Sequence, residues 1–172
     1  MSQINSKNTK FELANALIEL TKEHEFKDIS ISSVAFKANM HRNTVYYHFT
    51  DMRDLCFFTI HNELLKAIDS HGSTKDALVF FFSRFKPLLD FTRGEVGVDS
   101  FLSRMRIELL PFVEPLIAGE YINSDEKKRA GVDLFVEQLL VAYLLQDRPG
   151  NMIRIIFENI MPEFLAHDFL RS

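Results

Sequence analysis

Residues 29–50 read ISISSVAFKANMHRNTVYYHFT, a run of 22 positions without one Asp or Glu. The whole chain carries 24 acids in 172 residues, so about three would be expected there. The apolar positions Ile31, Val34 and Ala35, then Met40, then Val45, Tyr46 and Phe49 fall three, four and seven apart on either side of Ala38 and Asn39. That is helical periodicity with one interruption, and it predicts two short helices joined by a tight turn. A steep crossing needs one linking residue in the left-handed backbone region, where Asn is the commonest choice after Gly, and Asn39 stands at that point. Met40 then plugs the space between the helices, and His41 or Arg42 begins the second. Ser30 is placed to cap the first, its hydroxyl accepting from the backbone N–H of Ser32 or Ser33.

The second helix displays Arg42, Asn43, Thr44, Tyr47 and His48 on its outer face, as a duplex-reading helix-turn-helix requires. The Arg42 fork suits guanine N7 and O6, and the Asn43 carboxamide suits adenine. Ser32 and Ser33, on the outer face of the preceding helix, are in reach of a base edge or a phosphate. Lys37, His41, Arg42 and His48 give the window its positive character.

The stretch from Ser30 to Phe49, with Thr44-Val45-Tyr46-Tyr47-His48-Phe49 and the later Leu55, resembles the DNA-binding domain of the tetracycline-repressor (TetR) family of bacterial transcription regulators. The likeness covers about the first third of the chain. It implies that Thr44, Tyr47 and His48 hold phosphates, that Tyr46 packs partly inward, and that the remainder forms a helical ligand-sensing and dimerisation domain. The chain departs from the pattern at Glu25, where the family commonly has Gly, and at Met52, where it commonly has Lys. The missing Lys removes a usual phosphate contact. Arg53 is the candidate substitute, although one step along a helix turns a side chain by about 100°. The expected DNA-binding set is therefore Ser30, Ser32, Ser33, Lys37, His41, Arg42, Asn43, Thr44, Tyr46, Tyr47, His48 and Arg53.

Composition sets the outer limits. With 47% apolar and 26% charged residues the chain reads as an ordinary globular protein with a substantial core. Its longest uncharged apolar runs, 77–82 and 139–145, are too short to cross a bilayer. No apolar core of a secretory signal follows Lys7 or Lys10, so a cytoplasmic location is expected. A lone Cys56 forms no internal disulfide and reads as a small buried hydrophobe. Residues 1–55 balance seven Lys and Arg against seven Asp and Glu, within a chain of net charge −4, which excludes a uniformly basic non-specific binder. A sequence-specific dimer needs only a local positive face, and moderate, strongly salt-dependent affinity is expected.

Along the chain, Leu13, Ala16, Leu17 and Leu20 make the apolar stripe of a first helix closed by Phe26 and Ile29. A fourth helix from near Asp51 to Ser70 carries Leu55, Phe58, Leu65 and Ile68 inward. Ser73 with Asp76 caps a fifth, which runs to about Phe91 and stops at Arg93-Gly94. A sixth covers about 99–110 and is ended by Pro111. Residues 115–122 form a short helix, Ser124-Asp125-Glu126 begins a long one lasting to Asp147, and Arg148-Pro149-Gly150 turns the chain into a last helix over 151–167. The fold expected is all-α, with eight or nine helices. Its division is a helix-turn-helix DNA-binding domain over 7–67 and a helical effector-binding and dimerisation domain over 68–172.

Apolar residues surround the helix at 139–145 and nearly surround the last one, so a second subunit is the expected cover. The homodimer contact is placed on Phe135, Leu139, Ala142, Tyr143, Ile153, Ile156, Phe157 and Ile160. Thirteen of the 17 Phe follow residue 55. Since Phe80, Phe81 and Phe82 cannot all face one way, some are expected to line a pocket for a small hydrophobic or aromatic effector, built from Phe81, Phe82, Phe85, Phe101, Met105 and Phe112.

No catalytic constellation, nucleophile elbow or phosphate-cradling Gly-rich loop is present, and no enzyme activity or cofactor is expected. His41 and His48 lie about 10 Å apart along a helix axis, too far for one ion, and no metal site is expected. The sequence thus reads as a ligand-responsive, DNA-binding transcription regulator, a repressor acting as a homodimer on a palindromic operator in double-stranded DNA. The alternative is a helical co-regulator or small-molecule carrier with little DNA binding of its own, for which Met52 is the best support.

Overall fold

The structure, a computed structural model, describes residues 2–117 and 125–160. Among them all regular structure is helical. The helices are α1 (Ser2–Glu23), α2 (Ile31–Lys37), α3 (Arg42–His48), α4 (Met52–Ser70), α5 (Thr74–Arg84), α6 (Lys86–Val96), α7 (Val98–Ile117), α8 (Asp125–Leu145) and α9 (Pro149–Ile155), the last continued by one π turn, Ile156–Ile160. Contacts group them into two units. One holds the chain through Leu65 together with Phe85–Phe101, and the other holds Lys66–Arg84 and the chain from Leu102 onward.

In the first unit the stripe Leu13, Ala16, Leu17 and Leu20 is buried and Ile29 closes it, while the Phe26 side chain lies outside those described. Each leucine or isoleucine so removed from water contributes about 2 kcal/mol, and this anchors α2 and α3 on α1. On α4 the buried row is Leu55, Cys56, Thr59, Ile60 and Leu64, whereas Leu65 is partly exposed and Phe58 half-buried. Helix α6 also packs on α1, although the sequence reading places it beyond residue 67. Burial pushes the Cys56 thiol up to about 12, against a hydrogen bond to the buried Thr92 of α6 that lowers it. The thiol is therefore inert at neutral pH.

The single fifth helix expected to reach Phe91 is two helices, broken at Phe85. Pro87 occupies the first turn of α6, where its missing N–H costs nothing, but it cannot continue α5. The end of α6 lies at Gly97, with φ +82°, rather than at Gly94. The sixth expected helix, conversely, does not stop at Pro111. Helix α7 runs through Pro111 and Pro115. Both prolines are exposed, so the carbonyls left without donors lie on the solvent side, while Leu109 and Val113, fully buried, hold the axis across the gap.

In the second unit Ser73 and Asp76 cap α5 as expected, the Asp76 N–H donating to Ser73 Oγ at 3.1 Å. Helices α5 and α9 cross closely at Gly150: a Cβ there would sit 1.8 Å from Ser83 Oγ and 3.0 Å from the Val79 carbonyl oxygen. Arg106 of α7 donates to Asp133 at 2.9 Å and to Glu137, both on α8, and Lys75 pairs with Glu158 at 2.7 Å. The separate short helix expected from Pro115 does not begin there, because Pro115 lies inside α7, which is described to Ile117; its expected end at Ile122, the beginning of α8 expected at Ser124 and the end of the last helix expected at His167 lie outside the described residues.

Candidate nucleic-acid interface

The site is assembled by two backbone devices. At the start of α2 the Ser33 N–H donates to Ser30 Oγ at 3.2 Å while the Ser30 N–H donates to Ser33 Oγ at 2.8 Å, a reciprocal cap. At its end Asn39 has φ +55°, the one positive φ outside glycine among the described residues. There the Met40 N–H reaches the Ala35 carbonyl at 2.9 Å and the Asn39 N–H reaches that of Phe36 at 3.0 Å. This pair of bonds is a Schellman motif, and it satisfies carbonyls that the end of the helix would otherwise leave without partners. Helix α3 then begins at Arg42 with His41 as its cap, and the Thr44 N–H donates to the His41 carbonyl at 2.9 Å. Fully buried Val45 and buried Phe49 pin α3 to the unit, the Phe49 ring lying 5.2 Å from that of Phe58.

The opposite face of α3 is open. His41, Arg42 and Asn43 are exposed, Tyr47 is 83% exposed, Tyr46 is on the surface, and Thr44 and His48 are half-buried. Arg42 Nη2 donates to the Tyr46 hydroxyl at 2.9 Å, and the guanidinium carbon lies 5.3 Å from that ring. Tyr46 is 46% exposed and meets Arg42 along the helix surface. His48 stacks edge-on to Tyr47 at 5.0 Å. Its imidazole is held below its ordinary range, first by partial burial and then by the charge of Lys10. Lys10 itself rests over Phe49 and Phe58, 5.3 and 5.5 Å from the ring centres.

The flanking candidates divide. Ser30 and Ser32 are exposed, but the Ser33 hydroxyl is committed to the cap, also donating to the Ser30 carbonyl at 2.9 Å. Lys37 is bound to Glu23 at 2.8 Å, which offsets part of the positive character assigned to the window. Met52 is buried and Arg53 is exposed beside it. The first turn of α4 is occupied by its own acids: Asp51 accepts from the Asp54 N–H at 2.9 Å, and Asp54 from the Thr50 N–H at 3.0 Å. One surface residue escaped the sequence reading. Phe36, on α2, is 87% exposed. The available signal was its place just off the buried pair Val34 and Ala35.

The other two candidate sets fare differently. Phe81, Phe82, Phe101 and Met105 are fully buried, Phe85 is nearly so, and Phe112 is half-buried. They are divided between the units, Phe85 and Phe101 belonging to the first. Phe82 packs 6.0 Å from Tyr143. A cleft of about 270 Å³ in the first unit is lined by Thr21, His24, Ile29, Pro87, Asp90, Phe91 and Gly94, and so by none of these six. Of the dimer set, Phe135, Leu139, Ala142, Tyr143, Ile153, Ile156 and Phe157 are already buried within the single chain, and the Ile160 side chain lies outside those described. The chain's own helices cover these faces, as the 5.1 Å contact of Phe135 with Phe157 illustrates. The large apolar side chains that α8 and α9 leave exposed among the described residues are Leu134, Val141, Leu145 and Ile155. Leu134, Gln138, Val141 and Leu145 follow one another at four, three and four residues, and beside them runs an apolar groove of about 230 Å³ lined by residues of α8, α9 and their junction.

No family model matches the sequence, and no curated protein does. Solved structures do match. The dihydroxyacetone kinase operon activator DhaS is 18% identical with a TM-score of 0.64, over 95% of this chain and 98% of that one. The TetR family repressor AlkX from Dietzia sp., implicated in biodegradation of n-alkanes, is 17% identical with a TM-score of 0.56, over 91% of this chain and 96% of its own. The chain has the all-helical fold of the TetR-type regulators. No helix among the described residues is long and apolar enough to cross a membrane.

Proposed function

We propose that the chain is a sequence-specific DNA-binding transcription regulator, a ligand-responsive repressor that acts as a homodimer on a palindromic operator. The observation that carries this reading is the turn at Asn39, which sets α3 against α2 with Arg42, Asn43 and Tyr47 open to solvent and no acid on the segment. Arg42 reads guanine, Asn43 reads adenine, and Thr44, Tyr47 and His48 hold the backbone phosphates on either side. Both solved structures named above are transcription regulators, one an activator and one a repressor, which supports the class of activity.

The second copy sits on the row Leu134, Gln138, Val141 and Leu145. Two like faces meet with the same charge, so a face that pairs with itself must carry little, and residues 138–146 carry none. Two-fold pairing then presents the reading helices to half-sites about 34–36 Å apart, one turn of B-DNA. A small hydrophobic effector bound in the second unit favours a conformation that spoils this spacing, so DNA and effector bind antagonistically by linkage.

The test is selection of bound duplexes from a random pool at two salt concentrations. A two-fold symmetric consensus is expected, for which Arg42→Ala relaxes base preference while His48→Ala weakens all sequences alike. Recovery of no duplex by the purified protein sinks the reading in favour of a co-regulator.

A further inference from the structure

Phe36 is the most exposed large apolar side chain among the described residues, at 87%. It lies one turn beyond Ser32 on α2, opposite the buried pair Val34 and Ala35, while its neighbour Lys37 turns away to Glu23 of α1. A helical side chain leans toward the start of its helix, so the Phe36 ring covers the surface near Ser32. In a helix-turn-helix the first helix crosses the duplex backbone as the second enters the groove. A phenyl ring offers nothing to a phosphate. The apolar group that a major groove presents is the C5-methyl of thymine.

Resting on the DNA-binding reading above, we propose that Phe36 is a specificity residue that packs against a thymine methyl in each half-site, outside the bases read by Arg42 and Asn43. Its surroundings favour a nucleic-acid over a protein partner. From Ser30 to Asn43 the other exposed residues, Ser30, Ser32, Lys37, Asn39, His41, Arg42 and Asn43, include no acid, with Lys37 paired to Glu23, and other exposed aromatics, Tyr46 and Tyr47, stand on α3 itself. A docking patch for another protein is a contiguous apolar area of several hundred Å², and α2 offers a single ring.

The experiment uses the full chain and the duplex selected from the random pool, with each thymine replaced in turn by deoxyuridine, which deletes the methyl and leaves base pairing intact. One symmetric position per half-site is expected at which uracil weakens the wild-type protein about fourfold, the equivalent of one methyl withdrawn from water. Phe36→Ala should bind the thymine duplex more weakly by a similar factor and no longer distinguish uracil there, while Phe36→Leu keeps part of the preference. Because the side chain is exposed, the thermal midpoint of Phe36→Ala should match the wild type. If a duplex is selected but Phe36→Ala discriminates thymine from uracil as the wild type does, this inference fails and the DNA-binding reading stands. Loss of association with another protein, with DNA affinity unchanged, also overturns it. If no duplex is selected, both fall together.

Discussion

Arg42 and Tyr46, one turn apart on α3, hold each other: the guanidinium donates to the phenol oxygen at 2.9 Å and lies 5.3 Å from the ring. The bond uses one of the five guanidinium N–H groups, so on the proposed reading the remaining fork would stay available to a base, with the long side chain already short of rotamer freedom in the free protein. Tyr46→Phe keeps the ring and removes the acceptor. A loss of one hydrogen bond's net value, about 0.5–1.5 kcal/mol, is expected in operator binding measured by fluorescence anisotropy. It should be concentrated at the base that Arg42 reads, and tighter binding by Tyr46→Phe would show that the phenol competes with the base instead.

The turn between α2 and α3 rests on one left-handed residue. Asn39→Gly should leave stability unchanged or slightly raised, whereas Asn39→Val should cost about 1–2 kcal/mol in urea unfolding, since a β-branched side chain fits φ +55° poorly. Equal stability of the two variants would mean that the turn relaxes to another geometry.

The crossing of α5 and α9 permits no side chain at position 150. Gly150→Ala should destabilise by about 1–3 kcal/mol in thermal or urea unfolding. Ser83→Ala on top of it removes the Oγ that would be only 1.8 Å away and should recover part of the loss. No recovery would assign the cost to the Val79 carbonyl oxygen instead.

His48 is held below its ordinary range by burial and by Lys10. The unfolded chain therefore takes up this proton first as pH falls, and the stability contributed by neutral His48 is present above about 6.5 and eroded below it. Urea unfolding from pH 7.5 to 5 should show the decline, and His48→Gln should flatten it. Operator binding should move the other way. A phosphate beside the ring favours the charged form, so affinity rises as pH falls through the same window in the wild type and less in His48→Gln.

In the proposed dimer a cation placed on the exposed row of α8 would face its own copy. Leu145→Arg and Val141→Arg should weaken self-association at least tenfold, about 1.4 kcal/mol, in sedimentation equilibrium, and should weaken operator binding in step. A dimer that persists unchanged in both variants would place the contact elsewhere.

Where the sequence carried a local physical constraint, it was legible. Asn39 was readable because few residues tolerate a left-handed backbone, Ser30 because a helix start needs an acceptor, and the α1 stripe because burial repeats every three or four residues. The exposed face of α3 followed from the same periodicity. Prolines misled in both directions, Pro111 ending nothing because α7 is pinned by buried Leu109 and Val113, and Pro87 breaking a helix that apolar spacing alone carries past it. The division of α8 and α9 into buried and exposed sides was not legible at all. When apolar residues occupy every side, only packing decides that Tyr143 is buried and Leu145 is open. Nor does a sequence reveal that Lys37 answers to Glu23, fourteen positions earlier.

That pairing, with Asp51 and Asp54 sealing the first turn of α4, leaves the protein few spare cations beside its reading helix. Each phosphate neutralised liberates counterions, and adhesion to arbitrary duplex scales with their number. On the proposed DNA-binding reading, a regulator made this way would leave unmatched chromosome quickly, and its occupancy would be decided by the letters it recognises more than by the rail they hang on.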